Sequence, residues 1–445
     1  MKHSRALLAL GAAGALIVAA CGGDNSGGGS AATTAAGTTA ASSAATTAAG
    51  GGASTTAAAG GATTTAAPSK ADDSKPPVLV GFHNLEGGVI SLPEIREAFE
   101  SGVNYVNEEL GGINGRPMKA ETCNLDITPE SSVNCANQFV EKNVVVAIQG
   151  VDVAADAALP IWGQAGLVDI AFAGFTPGLN ASRGKAFVTL FDSRDILAQN
   201  LIMQQKLGAK NVAIVQEDLA SAKAYYDTVE KPTADKLGLG LQPFYYSATT
   251  DWATLAATIL STNPDGIDFP AAQEPVCLAA IPALRGAGFT KTIHASSCAE
   301  YVDKLPVEQV DGIINHNEFY YPTMTNIPAK AQHDIDILMK YMERDRGGVK
   351  SLVYAELGFH VAVQAADMLR QVKGDITPQT VAAAMPTTKG PMFFRESGYD
   401  CSKNTWPPDS AACSGEVIYT RANKDRKKEV LDINPIDVSA VRPKG

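Results

Sequence analysis

Six cysteines stand in three sequential pairs along this chain: Cys123 with Cys135, Cys277 with Cys298, and Cys401 with Cys413. Thiols can serve redox, metal or cross-linking chemistry, and spacing separates these uses. No CxxC pair and no Cys/His spacing suits zinc. The histidines His83, His294, His316, His333 and His360 are scattered, with no HExxH or facial metal pattern. The chain has seven cysteines; with Cys21, in the amino-terminal signal region, set aside as lipidated, the even remainder of six in an exported chain reads as disulfides. Six cysteines allow fifteen pairings. Nearest-neighbour bridges would close loops of about a dozen to two dozen residues, each worth ~3 kcal/mol of loop entropy. The expected bridges are therefore 123–135, 277–298 and 401–413. No GxSxG, P-loop or strand-following GxGxxG occurs; Gly238-Leu239-Gly240 precedes a strand rather than following one. No cofactor or metal is expected, and an enzyme of dispersed catalytic groups is one rival reading of the chain.

Other chemistry-bearing residues follow short apolar runs. These are Asn84 and Glu86; Val151 and Asp152; Phe175 and Thr176; Glu217 and Asp218; Gln273 and Glu274. If the runs are parallel strands, these residues lie beyond the strands' carboxyl ends, where open α/β sheets bind ligands. Each has a plainer reading beside it. Thr176-Pro177 is equally compatible with a helix cap. Glu217 and Asp218 are equally compatible with solvated loop acids or a cap for the next helix, and Asn84 and Glu86 with loop positions.

The elements that must position them alternate regularly. Apolar strands are expected at 78–82, 144–148 and 168–172, with helices at 93–110, 154–165 and 196–207. The series restarts with strands at 212–215, 241–246, 266–270 and 291–295 and helices at 221–237, 252–260 and 276–286. Solidly apolar strands alternating with helices indicate parallel sheets covered on both faces. The expected fold is α/β: two doubly wound lobes with mainly parallel sheets, joined by a hinge near 188–194. Cys277 and Cys298 both fall just past neighbouring strand ends, which favours pairing them.

The amino terminus carries Lys2, His3 and Arg5, then an apolar run over 6–20, then Cys21-Gly22-Gly23. That is the pattern of a secretory signal rather than a membrane span. Val18-Ala19-Ala20-Cys21 resembles the lipobox of bacterial lipoproteins, which implies cleavage before Cys21 and lipidation of its thiol. Residues 22 to about 75 are almost entirely Ala, Thr, Gly and Ser. Such a tract has nothing to bury, and is expected to be a disordered tether spanning ~40 Å on average. The chain has 445 residues and a net charge of −11. That balance repels nucleic acid and anionic membrane alike.

Gly111-Gly112-Ile113-Asn114-Gly115-Arg116-Pro117, after Asn107-Glu108-Glu109, resembles a signature of the Leu/Ile/Val-binding family, the type I periplasmic solute-binding proteins of ABC transporters. Asn114-Gly115 supplies a tight turn, and Gly111-Gly112 ends the preceding helix. The resemblance covers most of residues 78–390. It implies two hinged lobes that close on a small molecule, an amino acid or related compound, and present it to an ABC permease. It further implies a first-lobe cysteine pair, matched by Cys123 and Cys135. Thr176 matches a family hydroxyl position and is the best polar contact; Phe175 departs from the pattern, as does Leu219-Ala220 where the family carries Tyr-Gly.

The expected organisation is a signal over 1–20, a lipidated Cys21 with tether to 75, and a first lobe over 76–193. A second lobe over 194–318, a return to the first over 319–392, and an extension over 393–445 on the second lobe complete it. The expected protein is a monomer on the outer face of the membrane, attached only through its lipid. The alternative is a sensing or surface-interaction module of the same fold without transport.

Overall fold

The computed structural model describes residues 69–442, except 89–90, 273, 297 and 299–300 and the side chains at 220 and 221. The expected signal, Cys21, most of the tether, and Gln273 lie outside the described residues.

Five strands open the chain: β1 (Val78–Leu85), β2 (Met118–Leu125), β3 (Ala147–Gln149), β4 (Asp169–Ala171) and β5 (Ala186–Val188). They form one parallel sheet in the order β2-β1-β3-β4-β5. A second series follows: β6 (Asn211–Glu217), β7 (Gly240–Tyr246), β8 (Gly266–Asp268), β9 (Thr292–His294) and β10 (Ile314–Asn317). It repeats the same parallel order, β7-β6-β8-β9-β10. Each half is thus doubly wound, with a topological switch between its first and third strands, where crevices form. The fold class is the expected α/β one.

β2, β5 and β10 were not foreseen. β2 is an edge strand whose middle is half exposed, so it lacks the solid apolar run of a central strand. The helix expected over 221–237 is broken: Ala220–Tyr225, a π turn over Tyr226–Glu230, then Lys231–Leu237. Pro232 has no N–H to donate to Thr228, and its ring crowds that carbonyl, which accounts for the wide turn.

The Asn114-Gly115 turn forms as read. Both residues have positive φ, 52° and 81°, and Ile113 and Arg116 exchange backbone hydrogen bonds of 2.8 and 3.0 Å around them. Behind the first sheet, the helices Pro93–Glu108 and Leu352–Arg370 pack through glycines. A β-carbon on Gly358 would come 2.0 Å from the Ile95 carbonyl oxygen.

The chain passes between the sheets three times. It leaves β5 for the helix Ser193–Lys206, whose Asn200 and Gln204 bond Tyr419 and the Ile267 carbonyl of the second lobe. It leaves β10 through Glu318–Tyr321 for the helix Ala329–Arg346, whose Lys340 pairs with Glu109 of the first lobe. The segment expected on the second lobe divides. Its β13 (Gly398–Asp400) pairs with β12 (Lys389–Pro391) of the preceding first-lobe stretch, and Cys413 N–H bonds the Val188 carbonyl of the first sheet. Beyond it, β14 (Ile418–Ala422) and β15 (Lys428–Val430) extend the second sheet from β10, with the short β11 (Met324–Thr325) at its edge. That passage is the third crossover.

All three nearest-neighbour bridges are present: Cys123–Cys135, Cys277–Cys298 and Cys401–Cys413. Among the described residues no helix is long and apolar enough to cross a membrane.

Candidate functional site

β5 and β10 both leave their sheets at their carboxyl ends and run straight into crossovers. The carboxyl edges of the two sheets therefore converge on the crossovers. Residues at those edges are the candidates for a cleft.

On the first lobe, Asn84 bridges the switch point. Its Oδ1 accepts from Val151 N at 3.0 Å, and its Nδ2 donates to Leu92 O at 2.8 Å and Glu86 Oε1 at 3.1 Å. A β-carbon on Gly150 would lie 2.5 Å from that Oδ1, so only glycine fits beside it. Arg96 Nε approaches both Glu86 oxygens, at 3.1 and 3.0 Å. Asn84 and Glu86 thus brace the edge, and Val151 is held by its backbone.

Asp152 is turned into the lobe. It is fully buried, with the Ser132 hydroxyl 2.8 Å from Oδ1 and the Ala154 N–H donating at 2.8 Å. His83 Nδ1 stands 3.3 Å from Asp152 Oδ2 and His83 Nε2 3.8 Å from Asp169 Oδ1. These are ionic contacts without hydrogen-bond alignment. Burial disfavours the imidazolium, but the two carboxylates outweigh it and lift His83 to about 9. Burial raises Asp169 in turn.

Thr176 takes the capping role. Its oxygen accepts from Leu179 N at 3.4 Å, and its hydroxyl donates to Asp156. Asp156 also accepts from Gly178 N at 3.1 Å and Leu179 N at 2.8 Å. Phe175 is half-buried and meets Phe172 edge-on at 5.4 Å. It offers an aromatic surface rather than a polar group.

On the second lobe, Glu217 and Asp218 are exposed at the end of β6. Asp218 pairs with Lys223 at 2.5 Å. Glu274, half-buried, opens the helix Glu274–Gly286 past the end of β8. The Cys277–Cys298 bridge fastens that helix's first turn to the loop after β9. Sequence reasoning missed what orders this loop. Asn315 Nδ2 faces three carbonyls, at 3.4 Å from Ala295, 3.2 Å from Ser296 and 2.8 Å from Cys298, while Tyr301 donates to its Oδ1 at 2.5 Å. Ser296 is held at a φ of 48°. An asparagine inside a four-residue strand carries no local signal of this.

Beneath the second edge runs a buried polar row. Asp268 Oδ1 lies 2.5 Å from His294 Nδ1, and His294 Nε2 lies 3.2 Å from His316 Nδ1. Burial and the neighbouring His294 hold His316 well below its ordinary value. Burial pushes Glu230, on the π turn, up to about 8, against the donation from Gln216. Among the described residues no group of His, Cys, Asp and Glu could hold a metal. A depression of about 200 Å³ lies at the amino ends of β6 and β7, lined by Asn211, Gly240 and Pro264, on the edge away from these residues.

The edges as built can present backbone groups, aromatic faces and a few acids to a small molecule. Residues 86–411 match the family model described as periplasmic binding protein. The chain belongs to the periplasmic binding protein family, which is one of binding proteins, not enzymes. Among solved structures it resembles a putative branched-chain amino acid ABC transporter protein from Rhodospirillum rubrum, at 15% identity and TM-score 0.67, over 80% of this chain and 100% of that one. It also resembles an ABC transporter substrate-binding protein from Desulfitobacterium hafniense in complex with Leu, at 18% identity and TM-score 0.62, over 80% and 100% of the two chains. A third is the branched-chain amino acid transporter substrate-binding protein LivJ from Streptococcus pneumoniae in complex with isoleucine, at 16% identity and TM-score 0.58, over 80% and 99%. No curated protein matches the sequence.

Proposed function

We propose that this protein closes its two lobes on an amino acid or related small molecule and delivers it to an ABC permease, anchored outside the cell through a lipid on Cys21. The observation that carries the reading is the repeated strand order, with both carboxyl edges meeting at three crossovers. Two such edges joined by a hinge can enclose a solute between them. Structural relatives solved with Leu and with isoleucine support the ligand class.

In this reading Val151, Phe175 and Thr176 supply the first-lobe surface. Glu217, Asp218 and Glu274 supply the second. Asn84, Glu86 and Asp152 hold the first edge in shape from behind.

The test is a thermal-shift screen on protein unfolded and refolded to strip bound ligand, using leucine, isoleucine, valine, amides, polyamines and aromatic acids. A true ligand at a hundred times its Kd stabilises by about 2.7 kcal/mol. Binding of an amino acid with compaction in small-angle scattering supports the reading. Turnover of the bound compound, or no shift across the amino acids, sinks it.

A further inference from the structure

Glu356 lies one turn inside the helix Leu352–Arg370 and one turn before His360, whose ring centroid is 4.8 Å from that of Phe319 on the second crossover. It is fully buried, and neither carboxyl oxygen has a hydrogen-bond partner. A buried ionised carboxylate without partners is prohibitively costly, so this packing requires the neutral acid.

Neither Arg395 nor Lys428, the cations that act on Glu318, hydrogen-bonds to Glu356, and burial pushes Lys428 down to about 8. On the second crossover stand Glu318 and Tyr321, whose hydroxyl donates to Glu318 Oε2 at 3.3 Å. Glu318 is the charge that acts on Glu356, and both acids act on Tyr321. Arg395, fully buried, is held on two backbone carbonyls, and its Nη2 has no partner. Its Nε donates to Glu318 O at 2.7 Å and its Nη1 to Glu416 O at 2.5 Å, tying the second crossover to the third. One helical turn on, His360 is 3.0 Å from Thr189 Oγ1, and burial pushes it down to about 3, so it is neutral. Glu94, at the head of this helix, accepts from the amides of Lys350 and Ser351 at 2.6 and 2.7 Å.

We propose that Glu356 makes the angle between the lobes proton-linked: its neutral carboxyl belongs to this arrangement of the crossovers, and its ionised form to one that hydrates it. Glu318–Tyr321 joins the two lobes and packs on this helix through Phe319 and His360, so a rotation of the lobes displaces it beside Glu356. A rotation that lets water reach it gains the ionisation free energy of an ordinary glutamate. Acid favours the arrangement described here, and base favours the other. The linkage involves one proton, so the ratio of the two arrangements changes by up to about tenfold per pH unit above the ordinary glutamate value. It needs no ligand and so is tested apart from the binding reading.

The experiment is small-angle scattering of the ligand-stripped folded chain from about pH 5 to 9, a range above the ordinary glutamate value. The wild type should pass between two radii of gyration, and E356Q, nearly isosteric and never charged, should hold the low-pH value throughout. Should E356Q fold poorly, infrared spectra of the wild type serve instead: a protonated-carboxyl band should vanish in step with the scattering change. A wild-type radius constant over the range, or an E356Q chain that shifts as the wild type does, overturns the proposal.

Discussion

The Asn84 carboxamide oxygen accepts a hydrogen bond from the Val151 N–H at 3.0 Å, across 67 residues of sequence. That one bond joins the ends of β1 and β3 at the first lobe's switch point. It also explains Gly150, whose missing side chain leaves room for the carboxamide. Asn84→Ala should cost about 1–3 kcal/mol, because the Val151 amide and the Leu92 carbonyl lose a buried partner. Asn84→Asp should be worse at neutral pH, placing a second carboxylate beside Glu86, and should recover partly in acid. Urea denaturation of the two variants at pH 5 and pH 7 checks both statements.

His83 makes stability depend on pH. Its folded value of about 9 exceeds the ordinary ~6.5, so its contribution is fully present below about pH 6.5 and is lost as pH rises through 9. The expected loss is ~3 kcal/mol between pH 6 and 10. Chemical denaturation should show it in the wild type and not in His83→Gln. A wild type equally stable at both ends of that range rules out the charged histidine.

Serines at both Cys277 and Cys298 open a bridge spanning 21 residues. The expected cost is ~3 kcal/mol by loop entropy. Because the bridge also orders the second-lobe edge, ligand affinity should fall more than the loss in melting temperature accounts for. Calorimetric titration with the best hit from the ligand screen, below the melting transition, separates the two effects.

Gly358→Ala forces a methyl against the Ile95 carbonyl and must push two helices apart. Overpacking of this kind costs about 1–3 kcal/mol or more. Gly163→Ala, where a β-carbon meets nothing within 4 Å, should leave the melting temperature unchanged or raised. The contrast between the two glycines is the measurement.

Thr176 and Glu217 separate structure from binding. Thr176→Ala removes a helix cap and should lower stability by ~1 kcal/mol. Glu217→Ala alters an exposed side chain and should leave the melting temperature alone. If both weaken ligand binding, the two carboxyl edges form the site. Binding unchanged in both variants places the ligand elsewhere.

Much of the site's location could be read directly, and little of its detail. Residues beyond the apolar runs lie at strand ends because a central parallel strand needs both faces apolar, which leaves a plain mark in sequence. Thr176 and Asp152 show the limit. A hydroxyl before proline suits a cap or a ligand equally, and Asp156, 20 residues away, decides it. Asp152 turns inward because Ser132 and His83 wait there, and neither is near it in sequence.

What the sequence alone determined was whatever depends on neighbours along the chain: the strand–helix alternation, the Asn114-Gly115 turn, and the pairing of cysteines closest to one another. Tertiary structure decided what depends on residues far apart. It joined β14 and β15 to the second sheet while β13 stayed with the first lobe, broke a helix at Pro232, and left Glu356 buried beneath the crossovers. The reason is range. Backbone geometry and apolar periodicity act over a few residues, whereas a buried polar group is settled by partners that only the folded chain brings within reach.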